Sequence, residues 1–193
     1  MVTKLDPSGN QIWRREFGTP TWFDDAKDVA LDTLGNIYVI GRTTNLVVDS
    51  QPGAHVRKYD SNGNVIWQRQ FGEGDGNGSA YDIVISSNNE IYIGGITGGI
   101  LNNITLARER SAYIRKLDTN GNVIWDNQFA KAAGVQVSNL AMDEQGAIYI
   151  VGSAGYLPGQ TPAGNGDIFI RKYDPDTNVV WTREFGSTVT DYP

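Results

Sequence analysis

The chain contains no cysteine and a single histidine, His55. Disulfides, thiol nucleophiles and cysteine-based metal sites are therefore excluded, and an ordinary zinc site lacks the nitrogen and sulfur ligands it needs. No nucleophile-elbow pattern supplies the serine that a Ser-His-Asp arrangement requires, so His55 reads as a strand residue rather than a base. No stretch is long and apolar enough to cross a membrane as a helix, and no membrane insertion is expected. Met1-Val2-Thr3-Lys4 runs straight into a strand pattern with no signal peptide ahead of it. Basic residues are outnumbered, 16 against 22 acidic ones, giving a net charge of −6. That balance argues against a partner that tracks nucleic-acid phosphates. Helical periodicity is missing throughout. Prolines are few, 7 against 23 glycines, and the glycines recur at regular places, which favours short elements joined by tight turns. Within 193 residues, 39% of them hydrophobic, there is still apolar material for a sizeable core.

What is present is a repeat. Lys4-Leu5-Asp6-Pro7-Ser8-Gly9-Asn10-Gln11-Ile12-Trp13 returns as Lys58-Tyr59-Asp60-Ser61-Asn62-Gly63-Asn64-Val65-Ile66-Trp67. It returns again from Lys116 to Trp125 and, without its glycine, from Lys172 to Trp181. The tryptophans stand 54 residues apart (13 to 67), then 58 (67 to 125), then 56 (125 to 181). A second motif interleaves with the first: Asp28 to Gly41, Asp82 to Gly95 and, less closely, Asn139 to Gly152. Each motif is two short runs rich in Val, Ile, Tyr and Trp around a turn of Asp, Ser, Asn and Gly, the signature of a β-hairpin. The glycine supplies the left-handed residue of the turn, and the first aspartate caps its N–H groups.

Two hairpins in about 55 residues predict a four-stranded unit that must stack on its neighbours to bury both faces. The fold class is therefore all-β, a β-propeller of about 3.5 four-stranded antiparallel blades. A sandwich of hairpins would not demand so strict a period. The tryptophans are expected in the outermost strand of each unit, closing the gap between blades and offering the indole N–H to a backbone acceptor.

The string Lys-[Leu/Tyr]-Asp-x-x-Gly-Asn-x-[Ile/Val]-Trp, followed by Arg-[Glu/Gln]-Phe-Gly and an Ile-Tyr-[Val/Ile] strand, resembles the bacterial β-propeller repeat family called SBBP. The resemblance covers essentially the whole chain. A more distant similarity is to the tryptophan-docking repeats of quinoprotein propellers. The likeness implies a propeller of exported or surface-attached bacterial proteins, hence an extracellular or cell-surface location, with no catalytic residues shared by the family. Phe129-Ala130 departs from the Phe-Gly of the other units. In related propellers the chain runs from the innermost strand outward. That register divides this chain into an outer half-blade at 2–17 and blades at 26–72, 80–129 and 137–186. It predicts an incomplete ring or a fragment of a larger propeller, its remaining blades coming from the same longer chain or from other copies.

Short turns fall on one face of such a propeller and long, dissimilar connections on the other, where function concentrates. Trp22 and Phe23 are aromatics the repeat does not explain, and are candidates for contacting a sugar ring or a partner; covering a blade edge is the structural alternative. Arg108 and Tyr156 are further loop candidates. Asp28, Asp82 and Asn139, read as preceding or opening the innermost strands, form a candidate polar arc at the channel mouth, either holding a cation or water or capping their own loops. Glu73 to Ser79 and Asp174 to Asn178 alternate oxygen ligands as a calcium loop does, but lack its completing glutamate. No metal, cofactor or catalytic residue is expected. The favoured reading is a non-catalytic scaffold with a protein or glycan partner. Its rivals are a quinoprotein-like oxidoreductase, a hydrolase using carboxylates such as Asp24, Asp25 and Asp75, and a plain spacer.

Overall fold

In the computed structural model, fourteen strands and no helix make up the described residues, which are 1–18, 24–43, 52–72, 78–98, 101, 110–131, 135–155, 157, 159, 161, 164 and 166–187. The strands are β1 (Val2–Leu5), β2 (Gln11–Arg15), β3 (Asp25–Leu31), β4 (Ile37–Thr43), β5 (Gly53–Tyr59), β6 (Val65–Phe71) and β7 (Ser79–Ile85). They continue as β8 (Ile91–Thr97), β9 (Ser111–Leu117), β10 (Val123–Lys131), β11 (Gln136–Met142), β12 (Ile148–Ala154), β13 (Asp167–Tyr173) and β14 (Val179–Phe185). β1 and β2 form a two-stranded sheet; β3 to β6, β7 to β10 and β11 to β14 each form a four-stranded antiparallel sheet in sequence order. The innermost strands β3, β7 and β11 lie side by side. The ring is not closed.

The turns form because one aspartate satisfies several donors at once. Asp60 Oδ1 accepts the N–H groups of Asn62 (2.9 Å) and Asn64 (2.8 Å), while Asn64 Nδ2 donates to Asp60 Oδ2 (2.8 Å). Asp6 and Asp118 repeat the arrangement. Antiparallel pairing then puts every such turn at one end of the sheets, opposite the strand ends from which the longer connections leave.

Three apolar layers hold the four sheets together. Trp13, Ile37, Val39 and Tyr59 close the first gap. Tyr38, Ile40, Ile83, Ile93 and Tyr113 lie in the second, and Ile114, Val137, Ile150, Phe169 and Tyr173 in the third. Each fully buried side chain of this size contributes about 1.5–3 kcal/mol relative to exposure.

A polar latch crosses the same gaps. The Trp13 indole N–H donates to the Ser61 carbonyl (3.1 Å), and Arg15, stacked 5.6 Å from the Trp13 ring, donates through Nε to the Gly63 carbonyl (2.7 Å). One unit later, Trp67 donates to Thr119 (3.0 Å) and Arg69 to Gly121 (3.2 Å) and Asn120 (3.0 Å). Glycine is required here twice over. Gly63 and Gly121 have φ of +81° and +78°, and a Cβ would stand 2.8 Å from the Trp13 ring or 3.1 Å from that of Trp67. The third gap lacks this latch. Asn127 replaces the arginine and Thr177, at φ +71°, replaces the glycine. There Trp125 meets Tyr173 edge-on at 5.5 Å, and the Tyr173 hydroxyl donates to Asn127 Oδ1 (3.1 Å). The Ala130 departure is also visible: β10 runs on to Lys131, past the phenylalanine at which β6 and β14 end, with a register shift between Phe129 and Lys131.

Candidate functional site

Asp28, Asp82 and Asn139 occupy the fourth position of β3, β7 and β11, so the structure corrects the expectation that they precede or open these strands. Each follows a register shift: between Ala26 and Asp28, Ala80 and Asp82, Val137 and Asn139. A bulge locally frees an amide from the ladder, and the side chain takes it. Asp28 Oδ1 accepts from Val29 N (2.7 Å), Asp82 Oδ1 from Ile83 N (2.8 Å) and Asn139 Oδ1 from Leu140 N (2.9 Å). The second carboxylate oxygen crosses to the next blade. Asp28 Oδ2 accepts from Ile83 N (3.1 Å), and Asp82 Oδ2 from Leu140 N (2.5 Å). The three residues thus form a chain of capping groups that both finishes the strand and fastens neighbours.

Two carboxyls this close cannot both ionise freely. Burial, a hydrogen bond with Asp28 and the Asp28 charge push Asp82 up to about 7, against the downward pull of the Leu140 and Ile83 amides. Asp82 therefore holds its proton well above the usual carboxylate range. Asp28 also lines a cleft of about 610 Å³ between β1–β2 and β3–β4, walled by Val2, Trp13, Val29, Leu31, Ile37 and Val39. In the four-stranded sheets an inner hairpin lies inside the outer pair; the cleft is the corresponding space inside β1–β2. A smaller polar recess of about 140 Å³ lies between β3–β4 and β7–β8, with Asp25, Lys27, Arg42 and Arg110 among its walls.

Asp24, Asp25, Asp174 and His55 are absorbed into the scaffold. Thr43 Oγ1 donates to Asp24 (2.6 Å), and Asp25 accepts from Arg42 N (3.0 Å) and pairs with Lys27 (2.9 Å). His55 is wholly buried, edge-on to Phe17 at 5.4 Å. Burial, then the Arg57 charge, lowers it to about 4 despite Asp25 and Asp24. It is neutral and closed off from solvent. The Asp174 carboxylate is occupied by the Asn178 backbone and side-chain N–H groups of its own turn. No group of metal-ligating side chains occurs among the described residues. Trp22, Phe23, Arg108, Tyr156, Asp75 and the stretch 73–77 lie outside the described residues.

Sequence reasoning missed two recurring arrangements and one single buried pair. Lys58, Lys116 and Lys172 lie 4.9, 5.2 and 4.8 Å from the rings of Tyr38, Tyr92 and Tyr149. Each lysine also pairs with an acid of the neighbouring turn, Asp32, Glu90 or Asp143. Arg115 and Asp126 form a buried two-pronged pair within one blade. The arginine of the latch was legible in principle, as Trp-x-Arg at 13/15, 67/69 and 181/183.

No curated protein matches the sequence. Among solved structures, a protein of unknown function from Bacteroides caccae aligns with TM-score 0.50 and 10% identity, over 91% of this chain and 65% of its own. A GH43_12 protein from a capybara gut metagenome aligns at 0.44 and 12% (76% and 27% covered), and a mutant Synechocystis apocarotenoid oxygenase at 0.45 and 14% (94% and 44%). The chain thus spans less than two thirds of each, and likeness at this level speaks to the fold alone. Residues 12–46, from the first tryptophan hairpin through the first inner hairpin, match the family model SBBP, Beta-propeller repeat, in agreement with the resemblance carried by the repeated motif.

Proposed function

We propose that the chain is a non-catalytic propeller repeat module, a scaffold in a bacterial exported or surface protein that presents its long connections to a protein or glycan partner. One observation carries this reading. The polar side chains that recur from unit to unit are engaged in holding turns and blades together. Asp28 and Asp82 cap strands across a gap, Asp32 and Lys58 pair beside Tyr38, and Arg15 and Arg69 latch onto the next turn. What differs between units is the set of connections on the opposite face, the usual seat of function on a rigid scaffold. Asp82 has the raised pKa of an acid–base site, yet both oxygens of its carboxylate and of the Asp28 carboxylate already accept backbone N–H groups, which favours a structural role.

Glycan-array and surface-protein binding by the wild type, Trp22→Ala and Phe23→Ala tests the reading. Binding by the wild type that falls in either variant supports it. Absence of binding in both assays overturns the presenting role and leaves a spacer.

A further inference from the structure

The polar recess of about 140 Å³ lies between the first two four-stranded sheets, at the strand ends from which the long connections leave. Its walls carry three cations and one acid: Lys27 and Asp25 on β3, Arg42 on β4, and Arg110 just before β9. Ser79 and Tyr81 of β7 face them. The repeat does not call for these charges. In the next unit the strand register puts Ser79, Tyr81, Ile96 and Gly166 in the places of Asp25, Lys27, Arg42 and Arg110. None of those four is charged. A chain of net charge −6 thus gathers an excess of cations at one gap only.

Bulges set the arrangement. The shift between Ala26 and Asp28 makes Lys27 the extra residue of β3, and that between Ala80 and Asp82 makes Tyr81 the extra residue of β7. A bulge re-aims a side chain, and here the two meet across the gap, the Lys27 ammonium 5.9 Å from the Tyr81 ring. Asp25 pairs with Lys27 at 2.9 Å and accepts from Arg42 N at 3.0 Å, while the adjoining Asp24 turns to Thr43. Arg42 and Arg110 have interactions of their own, but a guanidinium carries five N–H donors, more than a bidentate partner takes up.

This chemistry selects among anions. Cations alone would suit phosphate or sulfate. Asp25 among them repels a compact polyanion and accepts from a hydroxyl, as Ser79 can. A group with a carboxylate at one end and hydroxyls beside it satisfies both kinds of wall, and Tyr81 offers an apolar ring to its C–H groups. The volume is that of about five water molecules, which takes a carboxylate and part of the ring that bears it. We infer that the recess binds the carboxylate of a uronic-acid residue of an acidic glycan. The inference rests on the proposed presenting role of the long connections and names the chemistry of the glycan. Lys27, Arg42 and Arg110 hold the carboxylate, Asp25 and Ser79 accept from ring hydroxyls, and Tyr81 packs beside the ring.

Titration of the full chain with D-glucuronate, followed through its amide NMR signals, tests this. Glucuronate is expected to shift Lys27, Tyr81 and Arg110 saturably and to leave the distant turn Asp118–Asn122 unmoved. Glucose, which lacks the carboxylate, and acetate, which lacks the ring, are each expected to bind about tenfold or more weakly. Lys27→Gln and Arg110→Gln, both at exposed positions, should each weaken glucuronate by a similar factor. Arg14→Gln, an exposed arginine outside the recess, should not. Absence of a saturable shift overturns the inference, as does binding unaltered in both recess variants. Acetate or sulfate binding as tightly as glucuronate also overturns it, marking a plain anion site of the kind an acidic protein segment would use. Glycan-array binding that depends on Trp22, with no glucuronate binding, overturns this inference alone; no binding in any assay overturns the presenting role with it.

Discussion

The carboxylates of Asp28 and Asp82 converge on one backbone N–H, that of Ile83, at 3.1 and 2.8 Å. One reaches it across the gap between sheets and the other from its own strand. The arrangement fastens two inner strands through a single amide and forces two acids together.

Stability should therefore carry an unusual acid-side signature. Asp82 is raised from 3.8 to about 7 on folding, chiefly by burial and by its hydrogen bond with Asp28. Between those values the folded chain binds more protons than the unfolded one, so this contribution is fully present below about pH 4 and lost as pH rises through 7. Asp82→Asn does not titrate at this position. The unfolding free energy of the wild type minus that of the variant is expected to fall as pH goes from 4 to 7. A difference independent of pH in urea titrations removes the assignment.

His55 acts with the opposite sign in an overlapping window. Its folded value is lowered from 6.5 to about 4, mainly by burial. The unfolded chain then binds the extra proton, so stability present above about 6.5 is lost as pH falls toward 4. His55→Leu is expected to gain stability relative to the wild type progressively over that fall, measured by the shift in thermal midpoint. A constant offset between the two proteins counts against a buried neutral imidazole.

How much of this was legible in the sequence follows from distance along the chain. Turns such as Asp60–Asn64 are local, so composition alone announced both the hairpin and the capping aspartate. The tryptophans announced their role through strict spacing. The bond from Ile83 to Asp28 spans 55 residues and depends on a bulge, and no pattern of residue types announces a bulge. For the same reason Asp28 looked like a residue at a strand's opening, when it lies in its middle. The pairing of Arg115 with Asp126 depends on the cross-strand register of β9 and β10, which two-residue alternation fixes only to the face.

That pair gives a third expectation. Arg115 Nε and Nη2 donate to Asp126 Oδ1 and Oδ2 at 2.6 and 2.7 Å, with both side chains almost wholly buried. Removing one partner strands a buried charge, and Asp126→Ala should cost about 3–5 kcal/mol in urea unfolding. Replacing both at once, Arg115→Met with Asp126→Leu, should recover most of that loss. A single substitution no worse than the double would mean that the pair is solvated in solution.

The fourth expectation contrasts two equivalent turn positions. Gly121 (φ +78°) has the Trp67 ring against the place of its missing Cβ, at 3.1 Å. Thr177 (φ +71°) holds a β-branched side chain in the left-handed region, which costs an L-residue roughly 1–2 kcal/mol. Thr177→Gly should relieve that strain and stabilise the protein by about 1 kcal/mol, less the backbone entropy that glycine loses on folding. Gly121→Thr introduces the same strain and also drives a side chain into the indole, so it should destabilise by more than the first change gains. It should also shift the intrinsic fluorescence as Trp67 leaves the Thr119 carbonyl, whereas Thr177→Gly leaves that emission unaltered. Equal and opposite effects would mean that backbone strain alone operates at these turns and that the indole contact contributes nothing.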